Sequence, residues 1–234
     1  MEESIKIDIG NDNEMAKLDS HSGFVFKVYS IVTFQLLITF SIGLIPVISD
    51  SIAESFLKYA IPISLVSSII LLIAIFQLVW FSTSYKQVPL NYILLFIITI
   101  CLALNVAIAC ASVEKYAVFV ALITTMTTAC SLSVHAFFIK DNVAFFQGIL
   151  IISANCLITI LICVFFVNMT IGRVLVACVG VIIFGMYLLY DTKLLMTNTI
   201  IEISCDDYIL AAVVLYFDIV MLFLKILELI KLVR

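Results

Sequence analysis

Long apolar runs follow one another along almost the whole chain, and they limit the folds that it can adopt. They lie at about 24–48, 60–81, 89–111, 116–139, 144–167 and 172–190, and a shorter seventh run covers Tyr208–Leu224. A helix needs about 20 apolar residues to cross a bilayer, and each of the first six runs is long enough. Because the runs are continuous rather than alternating, they indicate helices and not barrel strands. The sequence predicts an all-α polytopic membrane protein, a seven-helix bundle with six clear spans and a shorter seventh that spans or re-enters.

The composition excludes the common soluble classes of protein. Of the 234 residues, 65% are hydrophobic and 12% are charged, whereas a soluble domain has about 25% charged residues. Such a chain cannot be a water-soluble enzyme, a nucleic-acid-binding protein or a disordered segment. The lipid bilayer is therefore the expected partner, and no nucleic acid is expected. The cysteines form no CxxC pair, which argues against a disulfide framework or a zinc site.

Polar residues at the start divide the chain into two parts. Residues 1–23 form a polar tail that we expect to be disordered and cytosolic, and residues 24–234 form a single transmembrane helical domain. The excess of Lys and Arg on one side of the predicted bundle indicates a cytosolic N-terminus. The C-terminal Lys225, Lys231 and Arg234 favour that same side, but the length of the seventh run permits a full span. The sequence therefore leaves both sides of the membrane possible for the C-terminus.

Ionisable side chains are rare in the predicted spans, and in a membrane each one is a candidate functional residue. Asp218 lies ten residues into the seventh run, about 15 Å deep and near the middle of a bilayer core. Asp191 closes the sixth run. In an antiparallel hairpin, residues equally far from the turn lie at the same depth. A turn at Ser204–Asp207 therefore places the two aspartates side by side.

Two neighbouring carboxylates repel each other when both are ionised, so such a pair shares a proton and titrates as one unit. The pair also offers oxygen ligands to Ca²⁺, but Ca²⁺ takes roughly six to eight oxygens, so a closed site is not expected. We predict an ion pathway and pH sensor at Asp191 and Asp218, with weak Ca²⁺ binding. Lys225 shares a helix stripe with Asp218 and is a candidate ion-pair partner. The alternative is a structural role, in which each Asp bonds Thr or Asn on neighbouring helices.

Several stretches resemble the Bax-inhibitor-motif (TMBIM) family. Phe24–Thr39 resembles the first span of that family, and residues 89–99 (PLNYILLFIIT) resemble the entry to its third span. The strongest match is C-terminal, where residues 184–195 (FGMYLLYDTKLL) and 206–230 are similar to the family's YDTQ and LYLDIINLFL motifs. The short tail and compact loops are most like those of the Golgi anti-apoptotic and lifeguard branches. The chain departs from the family at Leu102, where many members have Glu.

The resemblance implies seven helices with the last in the centre, and a pH-sensitive Ca²⁺ leak from Golgi or endoplasmic reticulum stores that inhibits apoptosis. By this resemblance, Asp191 and Asp218 correspond to the family's two-aspartate pH sensor. Asp206 and Asp207 correspond to the acidic pair that precedes the last helix in the family, and the resemblance implies that they lie at the mouth of the pathway. Ca²⁺ is then the permeant or weakly bound ion, and no other cofactor is implied. Apoptosis regulators or Ca²⁺-release channels are the implied protein partners, with the chain acting as a monomer or a homo-oligomer.

Two other functions fit the same residues. A non-conducting regulator would inhibit apoptosis through protein partners in the membrane and would not need the aspartates. An intramembrane aspartyl protease would also place two Asp residues on adjacent helices, but it needs a Gly-x-Gly-Asp motif. Here Leu215, Tyr216 and Phe217 precede Asp218, so we predict that the chain is not an enzyme.

Overall fold

A computed structural model describes residues 2–80, 89–138, 171–196 and 208–232 of the chain. These ranges form seven α-helices and contain no strand. Their bounds are α1 Glu2–Ile48, α2 Asp50–Lys58, α3 Ala60–Trp80, α4 Leu90–Ala111, α5 Lys115–Phe138, α6 Ile171–Met196 and α7 Tyr208–Leu232. The all-α prediction is confirmed. The span predicted at 144–167 lies outside the described residues.

Six of the described helices, all except α2, are long and apolar enough to cross a membrane. Their outer faces carry large apolar side chains that stay exposed among the described residues. On α3, for example, Ile61, Leu72 and Trp80 are 80%, 67% and 73% exposed. Faces of this kind are costly in water and match the hydrocarbon of a bilayer. The polytopic membrane architecture predicted from the sequence is therefore confirmed.

The first connection differs from what the sequence led us to expect. Helix α1 begins at Glu2, and its apolar part starts at Gly23. The division into a disordered cytosolic tail at 1–23 and a membrane domain from residue 24 stays a prediction. After a single non-helical residue, Ser49, the chain continues as the nine-residue helix α2, which has no buried residue. An ion pair of 2.9 Å between Asp50 Oδ1 and Lys115 Nζ ties the start of α2 to the start of α5.

Helix α7 occupies the centre of the bundle. It packs against α1, α4, α5 and α6. Its side chains Ile209, Leu222 and Leu229 are completely buried. At 25 residues it is about 37 Å long, so it is long enough to cross a bilayer core of about 30 Å. The central position that the family resemblance implied is confirmed, and the helix is longer than the run read from the sequence.

Contacts at its two ends show that α7 crosses the whole bundle. At one end, Lys27 Nζ lies 5.6 Å from the ring centroid of Tyr208, and the hydroxyls of Tyr208 and Tyr92 are 3.0 Å apart. At the other end, Lys231 Nζ donates to Ser112 Oγ at 3.1 Å. These are called the Lys27 end and the Lys231 end below. Of the two predicted alternatives for the seventh run, the structure has the full span.

Candidate functional site

Helices α6 and α7 form an antiparallel pair that brings Asp191 and Asp218 together. A Cβ placed on Gly180 of α6 would lie 3.0 Å from Lys225 Cδ of α7. Further along both helices, the carboxyl groups of Asp191 and Asp218 are close enough to interact electrostatically. Residue numbers thus rise along α6 while they fall along α7. The hairpin geometry inferred from the sequence places the aspartates as the structure has them.

Asp218 is an acidic side chain in the interior of the bundle. It is 6% exposed, and its Oδ2 atom has no hydrogen-bond partner among the described residues. Asp191 is half-buried. A carboxylate in a medium of low dielectric constant is costly, and a second carboxylate beside it adds repulsion when both are ionised. The site can reduce both costs by holding a proton or a cation between the two groups.

The remaining predicted site residues take other positions. Lys225, proposed as an ion-pair partner of the aspartates, pairs with Glu228 on its own helix, with Nζ 2.8 Å from Oε2. Asp206 and Asp207 lie outside the described residues. No group of three or more His, Cys, Asp or Glu side chains gathers anywhere in the described ranges. The roles assigned to these residues and the weak Ca²⁺ binding stay predictions.

A hydrogen-bonded seam holds α7 against α1 and α4 on the opposite side from α6. Gln35 Nε2 donates to Thr99 Oγ1 at 3.0 Å. The hydroxyl of Thr39 lies 2.7 Å from that of Tyr216. Thr39 gives its only proton to the carbonyl oxygen of Gln35 at 2.8 Å, so Tyr216 is the donor in that contact. All four side chains are at least 98% buried. This seam fixes the face that α7 turns toward α6, and with it the position of Asp218.

Sequence reasoning missed three hydroxyl residues near the carboxyl pair. The Tyr29 hydroxyl of α1 lies close to the side chains of Ser133 on α5 and Thr192 on α6. The Tyr29 and Thr192 oxygens are buried and have no aligned hydrogen-bond partner in the ranges that the structure covers. The sequence signal was weak because hydroxyl side chains are common in membrane helices. Only the position of Thr192, directly after Asp191, could have pointed to it.

The fold and the buried carboxyl pair define a polytopic α-helical membrane protein with acidic residues at its centre. Residues 21–234 match the family Bax1-I, described as inhibitor of apoptosis-promoting Bax1. The chain belongs to this family, which confirms the resemblance to Bax-inhibitor-motif proteins. Assignment to the Golgi branch stays a prediction.

Similar proteins occur in plants and animals. Protein LIFEGUARD 4 of Arabidopsis thaliana is 35% identical over 215 residues, which cover 89% of this chain and 84% of that protein. Protein lifeguard 4 of Mus musculus is 31% identical over 246 residues, covering 99% and 94%. Protein lifeguard 3 of Homo sapiens is 28% identical over 210 residues, covering 88% and 67%. No solved structure matches the chain.

Proposed function

We propose that the chain is a Ca²⁺ leak pathway of Golgi or endoplasmic reticulum membranes, controlled by the Asp191–Asp218 pair. By lowering the Ca²⁺ content of the store it inhibits apoptosis. The chain acts as a conduit and has no enzymatic activity. Membrane class and family membership support this proposal, and the carboxyl pair is the observation that carries it.

The position of Asp218 is the main argument. An Asp at the centre of a membrane helix costs about 2.5–3.5 kcal/mol to insert. No basic side chain offsets that cost within the described residues, because Lys225 pairs with Glu228 and Asp218 faces another acid. An apolar residue at position 218 would give the fold a higher free energy of unfolding than an aspartate does. An ionisable group kept at such a cost is a functional group by default in a membrane protein.

The chemistry of the pair supports control by pH. Protons and cations compete for the same carboxylate oxygens, because both relieve the repulsion between two ionised groups. At low pH the pair holds a proton and its affinity for a cation falls. At higher pH the pair is more negative and attracts a passing cation. The Ca²⁺ leak should therefore increase with pH over the range in which the pair titrates.

The ligand count favours passage of Ca²⁺ over storage. Ca²⁺ takes roughly six to eight oxygen ligands, and two carboxylates supply at most four. Bound water must complete the shell, so Asp191 and Asp218 hold the ion weakly and release it quickly. Asp206 and Asp207 precede α7, and in this proposal they collect cations at the Lys27 end, where that helix begins.

The family description favours a second function. It names a protein target, apoptosis-promoting Bax1, and not an ion. A chain that restrains such a target by contact within the membrane would inhibit apoptosis without conducting. This regulator would not need either aspartate, so the aspartates separate the two functions.

A cellular experiment distinguishes the two candidates. Cells expressing the wild-type chain, Asp218→Asn or Asp191→Asn are compared for Ca²⁺ content with a sensor targeted to the store, and for survival under an apoptotic stimulus. Asp50→Asn, which removes an exposed carboxylate, is the matched control. The leak pathway predicts that Asp218→Asn and Asp191→Asn return store Ca²⁺ to the level of untransfected cells and no longer protect them. Asp50→Asn should behave like the wild-type chain. Full protection by both variants, with store Ca²⁺ at the level of untransfected cells, would identify the regulator instead.

A further inference from the structure

A groove between α3 and α4 opens on the outer face of the bundle. It encloses about 760 Å³, a volume within the range of roughly 300–1,000 Å³ that small-molecule sites have. Val66 and Phe96 in its walls are 55% and 57% exposed, so the groove faces the hydrocarbon of the bilayer. Large apolar side chains line it along both helices, namely Ile63, Val66 and Ile70 of α3 and Phe96, Ile100 and Leu104 of α4. We call it the outer groove.

Ser67 brings a hydroxyl to the wall of the outer groove, but its hydrogen bonds lie within the protein. Ser67 Oγ donates to the carbonyl oxygen of Ser64 at 3.1 Å and accepts from Asn105 Nδ2 at 3.0 Å. Asn105 Nδ2 also donates to the carbonyl oxygen of Cys101 at 2.9 Å. The donors of both side chains are therefore used, and the described lining favours an apolar occupant along the length of the groove.

The mouth of the outer groove carries a positive charge. Tyr59, the residue between α2 and α3, lines the mouth, and Lys58 Nζ lies 5.4 Å from the centroid of the Tyr59 ring. Lys58 forms no ion pair with the acidic side chains that the structure describes. Tyrosine and lysine are typical of the boundary between membrane and water. The mouth therefore presents an available ammonium group at the depth of the lipid headgroups.

The length of the outer groove matches one leaflet of the bilayer. From Tyr59 to Ile70 the chain of α3 rises about 16 Å, at 1.5 Å per residue. A hydrocarbon core of about 30 Å contains two leaflets, so the groove runs from the membrane boundary to near the middle of the core. A molecule with an anionic group at one end and an apolar chain as long as one leaflet fits both the charge and the length.

We propose that the outer groove binds one phospholipid, with an acyl chain in the groove and the phosphate at Lys58. The phosphate offers oxygen acceptors and a negative charge to the ammonium group of Lys58. Lipids that only cover the outer faces of the helices lack this second contact. The outer groove should therefore retain its phospholipid when detergent replaces the bilayer. The site is separate from the carboxyl pair, so its test does not depend on the proposed function.

Native mass spectrometry of the full chain in detergent micelles tests the site. Dioleoylphosphatidylglycerol, whose phosphate is its only charge, is compared with dioleoylglycerol, which has the same chains and no phosphate. Lys58→Gln removes the charge at the mouth, and its matched control is Lys231→Gln, on a lysine that bonds to Ser112. Val66→Trp fills the groove, and Val179→Trp on α6 is its matched control, because both valines are 55% exposed.

We expect the wild-type chain to retain one phosphatidylglycerol molecule and to bind dioleoylglycerol severalfold more weakly. Lys58→Gln should lower the affinity for phosphatidylglycerol to that for dioleoylglycerol. Val66→Trp should lower the affinity for both lipids, and the two control variants should match the wild-type chain. Binding is compared only among variants whose unfolding temperature matches that of the wild-type chain, and Ile70→Trp replaces Val66→Trp if the latter does not fold.

Three results overturn the proposal. Equal binding of phosphatidylglycerol by the wild-type chain and Val66→Trp shows that the lipid does not occupy the groove. Equal binding by the wild-type chain and Lys58→Gln shows that the phosphate does not contact Lys58. A wild-type dimer that carries no lipid and that Val66→Trp dissociates identifies a second copy of the chain as the occupant instead.

Photoreactive phosphatidylglycerol locates the acyl chain within the groove. With a diazirine at the end of the chain, crosslinks in the wild-type protein should fall near Ile70 and Phe96. With a diazirine next to the glycerol, they should fall near Tyr59. Crosslinks that are as frequent on the outer face of α6 around Val179 as in the groove overturn a bound lipid.

Discussion

Tyr216 shows how single polar residues organise the interior of this bundle. Its ring is completely buried on α7, and its hydroxyl gives the proton in the contact with Thr39 of α1. Because Thr39 uses its own proton on α1, nothing else within the seam can replace Tyr216 as the donor. This hydroxyl contact, together with the apolar packing of α7, holds the face that carries Asp218 away from α1.

Tyr216→Phe should lower the free energy of unfolding by about 0.5–1.5 kcal/mol, the usual net value of one buried hydrogen bond. The shape of the ring is retained, so the loss reports the hydroxyl alone. The measurement is unfolding in mixed micelles. Tyr187→Phe, on a 56% exposed tyrosine of α6, is the matched control and should change the stability little. Equal losses in the two variants would mean that the Thr39 contact contributes nothing.

Asp218→Asn should leave the free energy of unfolding at neutral pH unchanged or raise it. The amide has the same shape as the carboxyl, and it carries neither the cost of a buried charge beside Asp191 nor that of holding a proton there. A residue whose neutralisation stabilises the fold is retained for activity and not for structure. The same unfolding measurement applies. A loss of stability above about 1 kcal/mol, comparable to a lost buried hydrogen bond, would instead assign Asp218 the structural role that the sequence left open.

Among the described residues, Gly43 and Gly180 lie where a neighbouring helix comes close, and the neighbours that they face differ. A Cβ on Gly43 of α1 would meet Val106 Cγ1 of α4 at 3.1 Å. A Cβ on Gly180 of α6 would meet Lys225 Cδ at 3.0 Å. Valine is stiff and buried, whereas the lysine chain can move toward the surface. The same substitution should therefore have different effects in the two places.

Gly43→Ala should destabilise the protein by about 1–3 kcal/mol, as overpacking of a core does. Gly180→Ala should be nearly neutral, because the lysine chain yields and alanine favours the helix by about 1 kcal/mol over glycine. Each variant serves as the control for the other in one unfolding series. The account of helix contacts would be wrong if the order of the two effects were reversed.

The sequence predicted the long apolar helices correctly, but it missed the short helix α2 and placed the end of α7 too early. Helix α2 was missed because its nine residues are half polar and none is buried, so hydropathy carries no signal there. The seventh run was read as ending at Leu224 because Lys225 and Glu228 interrupt the apolar pattern. In the structure these two charges pair one turn apart, which lets α7 continue to Leu232.

The candidate site was predictable in part, for reasons that differ between its residues. Asp191 and Asp218 were found because a charge in a membrane span is rare and hairpin spacing fixes relative depth. Tyr29, Ser133 and Thr192 come from three helices, and no sequence spacing joins residues on separate helices. Their approach depends on how side chains pack across the whole bundle, which sequence spacing does not reveal.

The first and last described helices place the two ends of the chain at opposite ends of the bundle. Helix α7 leaves the bundle at the Lys231 end, opposite the Lys27 end of α1. Lys225, Lys231 and Arg234 then add to the side opposite the N-terminus, which removes the Lys and Arg excess that favoured a cytosolic N-terminus. The cytosolic N-terminus thus stays a prediction.

The two termini should lie on opposite sides of the membrane. Reporter tags fused separately to each end, read by protease protection in sealed vesicles, measure this directly. One tag should be cleaved in intact vesicles and the other only after permeabilisation. Cleavage of both tags in intact vesicles would contradict the full crossing of α7 and restore the re-entrant arrangement.

Ca²⁺ efflux from proteoliposomes tests the central claim most directly. Purified wild-type chain, Asp218→Asn and the surface control Asp50→Asn are reconstituted at equal density, and efflux is followed from pH 5 to pH 8. We predict a wild-type efflux that rises with pH, an unchanged profile in Asp50→Asn, and loss of the pH dependence in Asp218→Asn. Folded wild-type protein that releases no Ca²⁺ at any pH, or Asp218→Asn with the wild-type profile, would contradict the account.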